Sequence, residues 1–176
     1  MTVKPWKVLE SKAIWRNVRV EKCQANGKTI DSLFLEYGTW ATIVAITKKQ
    51  EMILIKQYRN GIRDIIWELP AGLVEEGESP LDGARRELLE ETGYTSNAIF
   101  QTGKTFPNPA IQSNVMYSFL ALDVEKVDDQ HLDESEDIEV FLVPLEKAIE
   151  MAKAGELPQA LHLTTLFHAL AHLKRI

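Results

Sequence analysis

The stretch GLVEEGESPLDGARRELLEETGY, residues 72–94, combines a short loop-like start with the features of one capped helix. Ser79 is a suitable N-cap, and Pro80 suits the first helical position because its missing N–H is not needed there. Gly93 suits the left-handed residue that ends a helix. Leu81, Ala84 and Leu88 supply an apolar face that can pack on a sheet. The stretch therefore predicts a loop followed by an amphipathic helix.

The opposite face of this helix is strongly acidic. At about 100° per residue, Glu87, Glu90 and Glu91 lie within one narrow arc. Like charges at these spacings repel each other and destabilise an isolated helix. A bound hard cation explains the cluster, because Mg²⁺ prefers oxygen ligands and couples carboxylates to substrate phosphates. The plain alternative is a solvated acidic face without a ligand.

The spacing resembles the Nudix box, G-x5-E-x7-R-E-U-x-E-E-x-G-U, in which U is a bulky aliphatic residue. The one departure is Tyr94 at the last U position, where an aromatic ring can fill the same apolar slot. So many fixed positions in so short a stretch are far more specific than an isolated glycine motif. The matching residues are Gly72, Glu78, Arg86, Glu87, Leu88, Glu90, Glu91 and Gly93.

The resemblance implies a metal-dependent hydrolase of a nucleoside diphosphate linked to another group. It implies Glu87 and Glu91 as the main metal ligands and catalytic residues. Glu90 is implied either as a further ligand or as a residue that contacts a ligand. It also implies the backbone carbonyl of Ala71 as a further ligand, and Mg²⁺ as the ion with Mn²⁺ as the alternative. The implied orienting residues are Gly72, Glu78, Gly93 and Arg86, the last through pairing with a box carboxylate.

Two segments outside the box resemble the branch that hydrolyses ADP-ribose and nucleoside diphosphate sugars. Gln57-Tyr58-Arg59 is followed by a strand, Ile65 to Leu69, that Pro70-Ala71-Gly72 should close. Arg59 is suited to clamp a diphosphate, and Glu68 to bind a ribose or a phosphate-side arginine. Pro109 lies fifteen residues after Tyr94 (109 − 94 = 15). A proline near that offset marks this branch. Members of the branch commonly have Ser-Pro-Gly or Asn-Pro-Gly here, whereas this chain has Asn-Pro-Ala, which leaves the preferred sugar open.

A late acidic segment, Asp133 to Asp137, precedes another predicted strand. The same branch brings a general base from a loop in this region. The resemblance implies Glu134 as the base and Glu136 as an additional metal ligand, with Glu136 and Glu139 as alternative bases. A solubilising acidic loop is the competing interpretation.

The pattern of strands followed by interleaved helices predicts a mixed α+β or α/β fold. The resemblance implies a three-layer α/β/α Nudix sandwich with a mixed sheet, over residues 41–176. Residues 1–40 are predicted to form an N-terminal β extension that takes part in a homodimer. Trp15 in this extension is a weak candidate for stacking on the substrate base, since a tryptophan more often serves packing.

Composition narrows the function further. A net charge of −6 over 176 residues argues against a broad nucleic-acid surface. The start of the chain has no apolar segment of signal-peptide length, and Trp40 to Ile46 is too short to span a bilayer. Cys23, the single cysteine, cannot form an internal disulfide. A cytoplasmic protein without nucleic-acid or membrane partners is expected.

The leading hypothesis is therefore hydrolysis of the pyrophosphate bond of ADP-ribose or a related nucleoside diphosphate sugar. A hydrolase of nucleoside triphosphates is the second enzyme hypothesis, although it usually fits a chain without the extension. A catalytically inactive Nudix-fold regulator that binds nucleotides is the alternative of another class. The complete set Glu87, Glu90 and Glu91 argues against it, and the acidic balance argues against mRNA decapping.

Overall fold

The computed structural model describes residues 5–134 and 136–176. The chain divides into two compact units. One contains the residues up to Gly38 together with Phe106–Val115, and the other contains Thr39–Thr105 together with Met116–Ile176. The loop that carries Pro109 thus belongs to the same unit as the N-terminal strands.

The first unit is an antiparallel sheet of three strands, β1 (Lys7–Trp15), β2 (Val18–Ala25) and β3 (Lys28–Leu35), in the order β1-β2-β3. Asn26 and Gly27 join β2 to β3 with φ angles of 51° and 76°. Positive φ at both central residues is what a tight hairpin turn requires, and the Asn-Gly pair adopts it at low cost. Asn26-Gly27 therefore forms the two-residue turn of the β2–β3 hairpin.

The second unit contains a seven-stranded mixed sheet. Its strands are β4 (Trp40–Ile46), β5 (Glu51–Arg59), β6 (Asp64–Glu68), β7 (Ala71–Leu73), β9 (Ala98–Thr105), β10 (Met116–Leu122) and β12 (Ile138–Pro144). Its central order is β12-β5-β4-β10-β9, with β6 paired to β5 and β7 paired to β4. β10 runs parallel to β4, and the other ladders are antiparallel. β8 (Tyr94–Thr95) and β11 (Glu125–Lys126) form a separate small ribbon.

Helices cover both faces of this sheet. The helices are α1 (Pro80–Thr92), α2 (Leu145–Lys153) and α3 (Ala160–His172). Alternate residues of β4 point to opposite faces, as the pleat of a strand requires. Val44 and Ile46 pack in a core cluster with residues of α2 and α3. Ile43 packs in the other cluster with Ala84 and Leu88 of α1. This is the predicted three-layer α/β/α arrangement.

The ends of α1 lie where the sequence predicts them. Ser79 Oγ accepts a hydrogen bond from the Asp82 N–H (3.2 Å) and caps the N-terminus. Gly93 ends the helix in the left-handed conformation with a φ of 76°. A β-carbon at Gly93 would lie 2.1 Å from the Asp128 carbonyl oxygen, so both backbone angle and space favour glycine there.

Residues 71–73 differ from the sequence prediction. Pro70-Ala71-Gly72 was expected to close the preceding strand, but Ala71–Leu73 forms β7 and pairs antiparallel with Trp40–Thr42 of β4. The pairing partner lies some thirty residues earlier in the chain. Such a non-local ladder is not encoded in the local pattern of residues 70–73. Its effect is to fix the start of the box against the central sheet.

No helix within residues 5–134 and 136–176 is long and apolar enough to cross a lipid bilayer.

Candidate active site

A cleft of about 1300 Å³ opens in the second unit at the start of the box. Residues of β4, β5, β6 and β7, the loop after β7, α1 and the first turn of α3 surround it. Its lining therefore combines box residues with residues far from them in sequence. The charged and histidine residues of the lining are Arg59, Glu68, Glu75, Glu76, Arg86, Glu87, Asp133, Glu136 and His162.

Arg86 joins three box carboxylates on one side of this cleft. Its guanidinium donates to Glu78 Oε1 (3.1 Å), Glu87 Oε1 (2.8 Å) and Glu90 Oε2 (2.9 Å). It also donates to the Leu73 carbonyl oxygen (2.8 Å). The Glu78 hydrogen bond raises the pKa of Arg86, and Arg86 lowers the pKa of Glu78. Arg86 thus ties the loop after β7 to the acidic face of α1.

Glu91 is the most deeply buried box carboxylate, with 2% of the residue exposed. Its Oε2 accepts a hydrogen bond from the Ala71 N–H (2.9 Å). Burial raises the pKa of Glu91 well above the usual glutamate value, although the Ala71 hydrogen bond opposes the shift. The nearby charges of Glu87 and Glu136 raise the pKa further. A buried carboxylate among like charges is stabilised in its ionised form by a cation.

Glu87 lies directly against the backbone of Gly72. A β-carbon at Gly72 would lie 2.1 Å from the Glu87 carboxyl carbon, so only glycine leaves room for this carboxylate. Burial raises the pKa of Glu87, the Arg86 contacts lower it, and the charges of Glu90 and Glu136 raise it again. Gly72 therefore forms a space that the Glu87 carboxylate fills.

The late acidic segment reaches the same cleft. Asp133 and Glu136 line it, and the charge of Glu136 acts on both Glu87 and Glu91. The Glu136 N–H donates to the Asp133 carbonyl (2.9 Å), while the Asp133 N–H donates to Glu136 Oε2 (3.0 Å). Glu134 is exposed and is not among the lining residues, and Glu139 is an exposed residue of β12.

Arg59 and Glu68 form an ion pair at another wall of the cleft. Arg59 Nε lies 3.0 Å from Glu68 Oε1 and 2.9 Å from Oε2, and Nη2 lies 2.5 Å from Oε2. Glu68 is fully buried, whereas the Arg59 side chain is 42% exposed. Within the described residues, Arg59 Nη1 has no hydrogen-bond partner. Glu68 thus orients Arg59 and leaves one nitrogen of the fork for a ligand.

The donor set fits a hard divalent cation. It consists of carboxylate oxygens that repel one another, and Gly72 leaves room for one of them. In the described part of the chain, no group of three or more His, Cys, Asp or Glu side chains converges on one point. Arg86 engages Glu87 and Glu90, and the Ala71 N–H engages Glu91. Binding therefore requires these carboxylates to exchange present contacts for the ion.

Two predicted residues belong to the first unit. Trp15 ends β1 and is 71% exposed. Pro109 lies in a turn in which the Ile111 and Gln112 N–H groups donate to the Asn108 carbonyl. Both therefore lie outside the unit that contains the cleft.

His162 is a cleft residue that the sequence analysis did not single out. It lies in the first turn of α3 and is 3% exposed. Its Nδ1 accepts a hydrogen bond from the Leu69 N–H (3.1 Å), ninety-three positions away in the chain. Nothing in the local sequence of α3 indicates this contact, because it depends on the packing of α3 against the end of β6.

These features define the class of protein. It is an α/β/α sandwich with a cleft that is lined by acidic side chains and by the two arginines Arg59 and Arg86. Residues 38–164 match the family model described as the NUDIX domain. The chain therefore belongs to the Nudix family, as predicted from the box, and it has the features of a Nudix pyrophosphohydrolase. Enzymes of this family generally use divalent metal ions.

Similar proteins agree with this assignment. The chain is 32% identical over 136 residues to the ADP-ribose pyrophosphatase of Bacillus subtilis (strain 168), covering 77% of this chain and 74% of that protein. It is 31% identical over 155 residues to the GDP-mannose pyrophosphatase of Enterobacter sp. (strain 638), covering 82% and 81%. The crystal structure of an ADP compounds hydrolase has the same fold, with a TM-score of 0.87, 23% identity and coverage of 99% and 97%.

Proposed function

We propose that this protein hydrolyses the pyrophosphate bond of ADP-ribose or a related nucleoside diphosphate sugar, giving a nucleoside monophosphate and a sugar phosphate. The observation that carries the proposal is one cleft whose lining contains Glu87 of the box, Glu136 and Arg59. A diphosphate needs charge neutralisation on one side and fixed donors on the other. The names of the two pyrophosphatase relatives support the same substrate class.

The proposed ion is Mg²⁺, with Mn²⁺ as the alternative. The residues proposed to hold it are Glu87, Glu90, Glu91, Glu136 and the carbonyl of Ala71. When bound, such an ion neutralises phosphoryl charge and favours attack on phosphorus. Arg86 and the Ala71 N–H keep the carboxylates next to the cleft until then.

Arg59 is the proposed diphosphate clamp and Glu68 its positioning residue. The buried Glu68 carboxylate fixes Nε and Nη2, so that Nη1 can donate to a phosphoryl oxygen. A preorganised guanidinium loses less conformational freedom on binding than a mobile one. Replacement of Arg59 should therefore weaken substrate binding rather than metal binding.

The proton of the attacking water is proposed to pass to Glu134, with Glu136 in the ligand role. Glu134→Gln should lower kcat by roughly 10²–10⁴-fold, the usual contribution of a general base. Glu136→Gln should instead raise the Mg²⁺ concentration needed for half-maximal activity. Steady-state rates measured over a range of Mg²⁺ concentrations report both effects.

Glu156→Gln serves as the control, because this exposed glutamate lies between α2 and α3 and is not among the residues that line the cleft. A kcat near that of the wild type in Glu134→Gln would contradict the assignment of the base. In that event, a loss of kcat of this size in Glu136→Gln or in Glu139→Gln identifies the residue that acts as the base.

The N-terminal β extension, predicted as residues 1–40, is proposed to take part in a homodimer. The exposed fractions of Trp6, Ile14 and Trp15 are 55%, 55% and 71%, which is a large apolar surface for one small sheet. Trp15 is proposed to contact the substrate base from this unit. Sedimentation velocity should give a dimer mass, and a monomer at micromolar concentration would contradict the proposal.

The proposed location is the reducing cytoplasm, which the unpaired thiol of Cys23 supports. Cell fractionation tests this location.

A comparison of substrates tests the proposed specificity. With Mg²⁺, we expect kcat/KM for ADP-ribose, ADP-glucose or GDP-mannose to exceed that for ATP and dGTP by at least about tenfold, a difference of about 1.4 kcal/mol in transition-state binding. Pro109 supports ADP-ribose as the first substrate to measure. A preference for the triphosphates would instead establish the second enzyme hypothesis.

A further inference from the structure

The first turn of α3 borders the cleft with unused hydrogen-bond donors. Pro158 to His162 belong to the lining, and α3 begins at Ala160. Gln159 Oε1 accepts the Leu161 N–H (2.9 Å), and the Gln159 carbonyl accepts the Leu163 N–H (3.0 Å). The N–H groups of Ala160 and His162 have no partner among residues 5–134 and 136–176. A helix N-terminus with free N–H groups favours an anion.

The His162 side chain adds a second, independent donor at this position. Its ring is buried and its Nδ1 accepts the Leu69 N–H, so Nδ1 must carry a lone pair rather than a proton. The neutral ring then has its proton on Nε2. No hydrogen-bond partner for Nε2 is found in the described chain, and His162 is one of the residues that line the cleft.

The charge state of His162 follows from the same contacts. Protonation of Nδ1 would set two donors, that atom and the Leu69 N–H, against each other. Burial lowers the pKa of His162 to about 3, and the neighbouring charge of Arg59 lowers it as well. The ring therefore remains a neutral donor at physiological pH.

We propose that His162 is a substrate-binding residue: its Nε2–H and the free N–H groups of the first turn of α3 form a subsite for a phosphoryl oxygen beside Arg59. The inference deepens the proposed function and rests on it, because it assigns this subsite to the diphosphate of the substrate. A neutral donor fits next to Arg59, since it adds a hydrogen bond without repelling the guanidinium. The buried imidazole also keeps one orientation, which preorganises the donor.

Two substitutions separate binding from support of the fold. In His162→Asn the carboxamide oxygen can still accept the Leu69 N–H, but the Nε2–H donor is lost. In His162→Gln the amide nitrogen extends to the position of Nε2, but the acceptor for Leu69 is lost. We expect His162→Asn to raise KM for ADP-ribose about tenfold, the loss of one charge-assisted hydrogen bond, with its melting temperature near that of the wild type.

His162→Gln should show the reverse pattern, a lower melting temperature with KM within about threefold of the wild type. The inference is overturned if His162→Asn has the KM of the wild type, because the ring would then serve only to hold Leu69. A fall in kcat alone, without a change in KM, would also overturn it.

A measurement without turnover keeps this inference separate from the proposed function. In EDTA, the ring nitrogens of ¹⁵N-histidine-labelled protein should show Nε2 protonated and Nδ1 unprotonated from pH 5 to 9. Ribose 5-phosphate should shift the Nε2–H resonance of His162, and ribose should not. A shift with ribose alone, or with neither compound, would overturn the phosphoryl subsite. If no nucleoside diphosphate sugar is hydrolysed, the proposed function fails while this shift still tests the subsite.

Discussion

Replacing Glu91 by glutamine should lower kcat about 10³-fold and at the same time stabilise the metal-free protein. The rate should fall because a lost ligand removes several kcal/mol of transition-state charge stabilisation, at about 1.4 kcal/mol for each factor of ten. The stability should rise because burial and the charges of Glu87 and Glu136 raise the pKa of Glu91 in the folded state. The amide of glutamine keeps an oxygen that can accept the Ala71 N–H.

The raised pKa of Glu91 determines how the stability difference between variant and wild type should change with pH. A carboxyl whose folded pKa lies above its unfolded value favours folding at low pH, and that contribution is lost as pH rises above about 4.5. The melting temperature of the Glu91→Gln variant in EDTA should therefore exceed that of the wild type at pH 8. The difference should shrink towards pH 4. Calorimetry at several pH values measures it.

Glu156→Gln is a suitable control, because this exposed glutamate lies in the turn between α2 and α3. It should leave both kcat and the pH dependence of the melting temperature unchanged. A Glu91→Gln variant with more than a tenth of the wild-type kcat at saturating Mg²⁺ would contradict the ligand role of Glu91. A lower melting temperature in EDTA at pH 8 would contradict the electrostatic account.

The second large effect is expected at Gly72, where alanine should reduce kcat/KM by about 10²-fold with little loss of stability. The added β-carbon would lie 2.1 Å from the Glu87 carboxyl carbon and must displace that carboxylate. A carboxylate at the end of a flexible side chain can move at low cost to the fold. Displacing a catalytic group by about 1 Å can nevertheless cost about 10²-fold in rate.

Gly103→Ala is the matched comparison because it creates an equally close contact elsewhere. Its β-carbon would lie 2.0 Å from Nδ1 of His168, a ring of α3 that also contacts Ser118 Oγ (3.2 Å). A packed ring cannot move freely, so we expect a loss of about 1–3 kcal/mol in the free energy of unfolding. Kinetics below the melting temperature should stay near those of the wild type. If Gly72→Ala is instead the unstable and active variant, the account of Gly72 is wrong.

The local parts of this structure were accessible from the sequence. The bounds of α1 follow from Ser79, Pro80 and Gly93, because caps act through neighbouring backbone groups. The turn at Asn26-Gly27 follows from the low cost of positive φ at these residue types. The box itself predicts that Glu87 and Glu91 lie on one face of a helix. Each of these inferences needs only residues close together in the chain.

The parts that were missed depend on contacts between distant residues. β7 forms because Ala71–Leu73 meets β4, and no pattern within three residues specifies that pairing. His162 becomes a fixed donor only when α3 packs against Leu69. For Glu68 the sequence left two partners open, a ribose or an arginine. The ion pair with Arg59 depends on the pairing of β5 with β6, which the local sequence does not specify. The burial of Glu68 and the tautomer of His162 are set only when the site is packed.

The most direct test of the central claim is ³¹P NMR of ADP-ribose incubated with the wild-type protein and Mg²⁺. We expect the two diphosphate resonances to disappear and two phosphomonoester resonances, from AMP and ribose 5-phosphate, to replace them in equal amounts. EDTA should prevent the change. An unchanged spectrum for ADP-ribose and for other nucleoside diphosphate sugars, in a preparation that hydrolyses nucleoside triphosphates, would contradict the account.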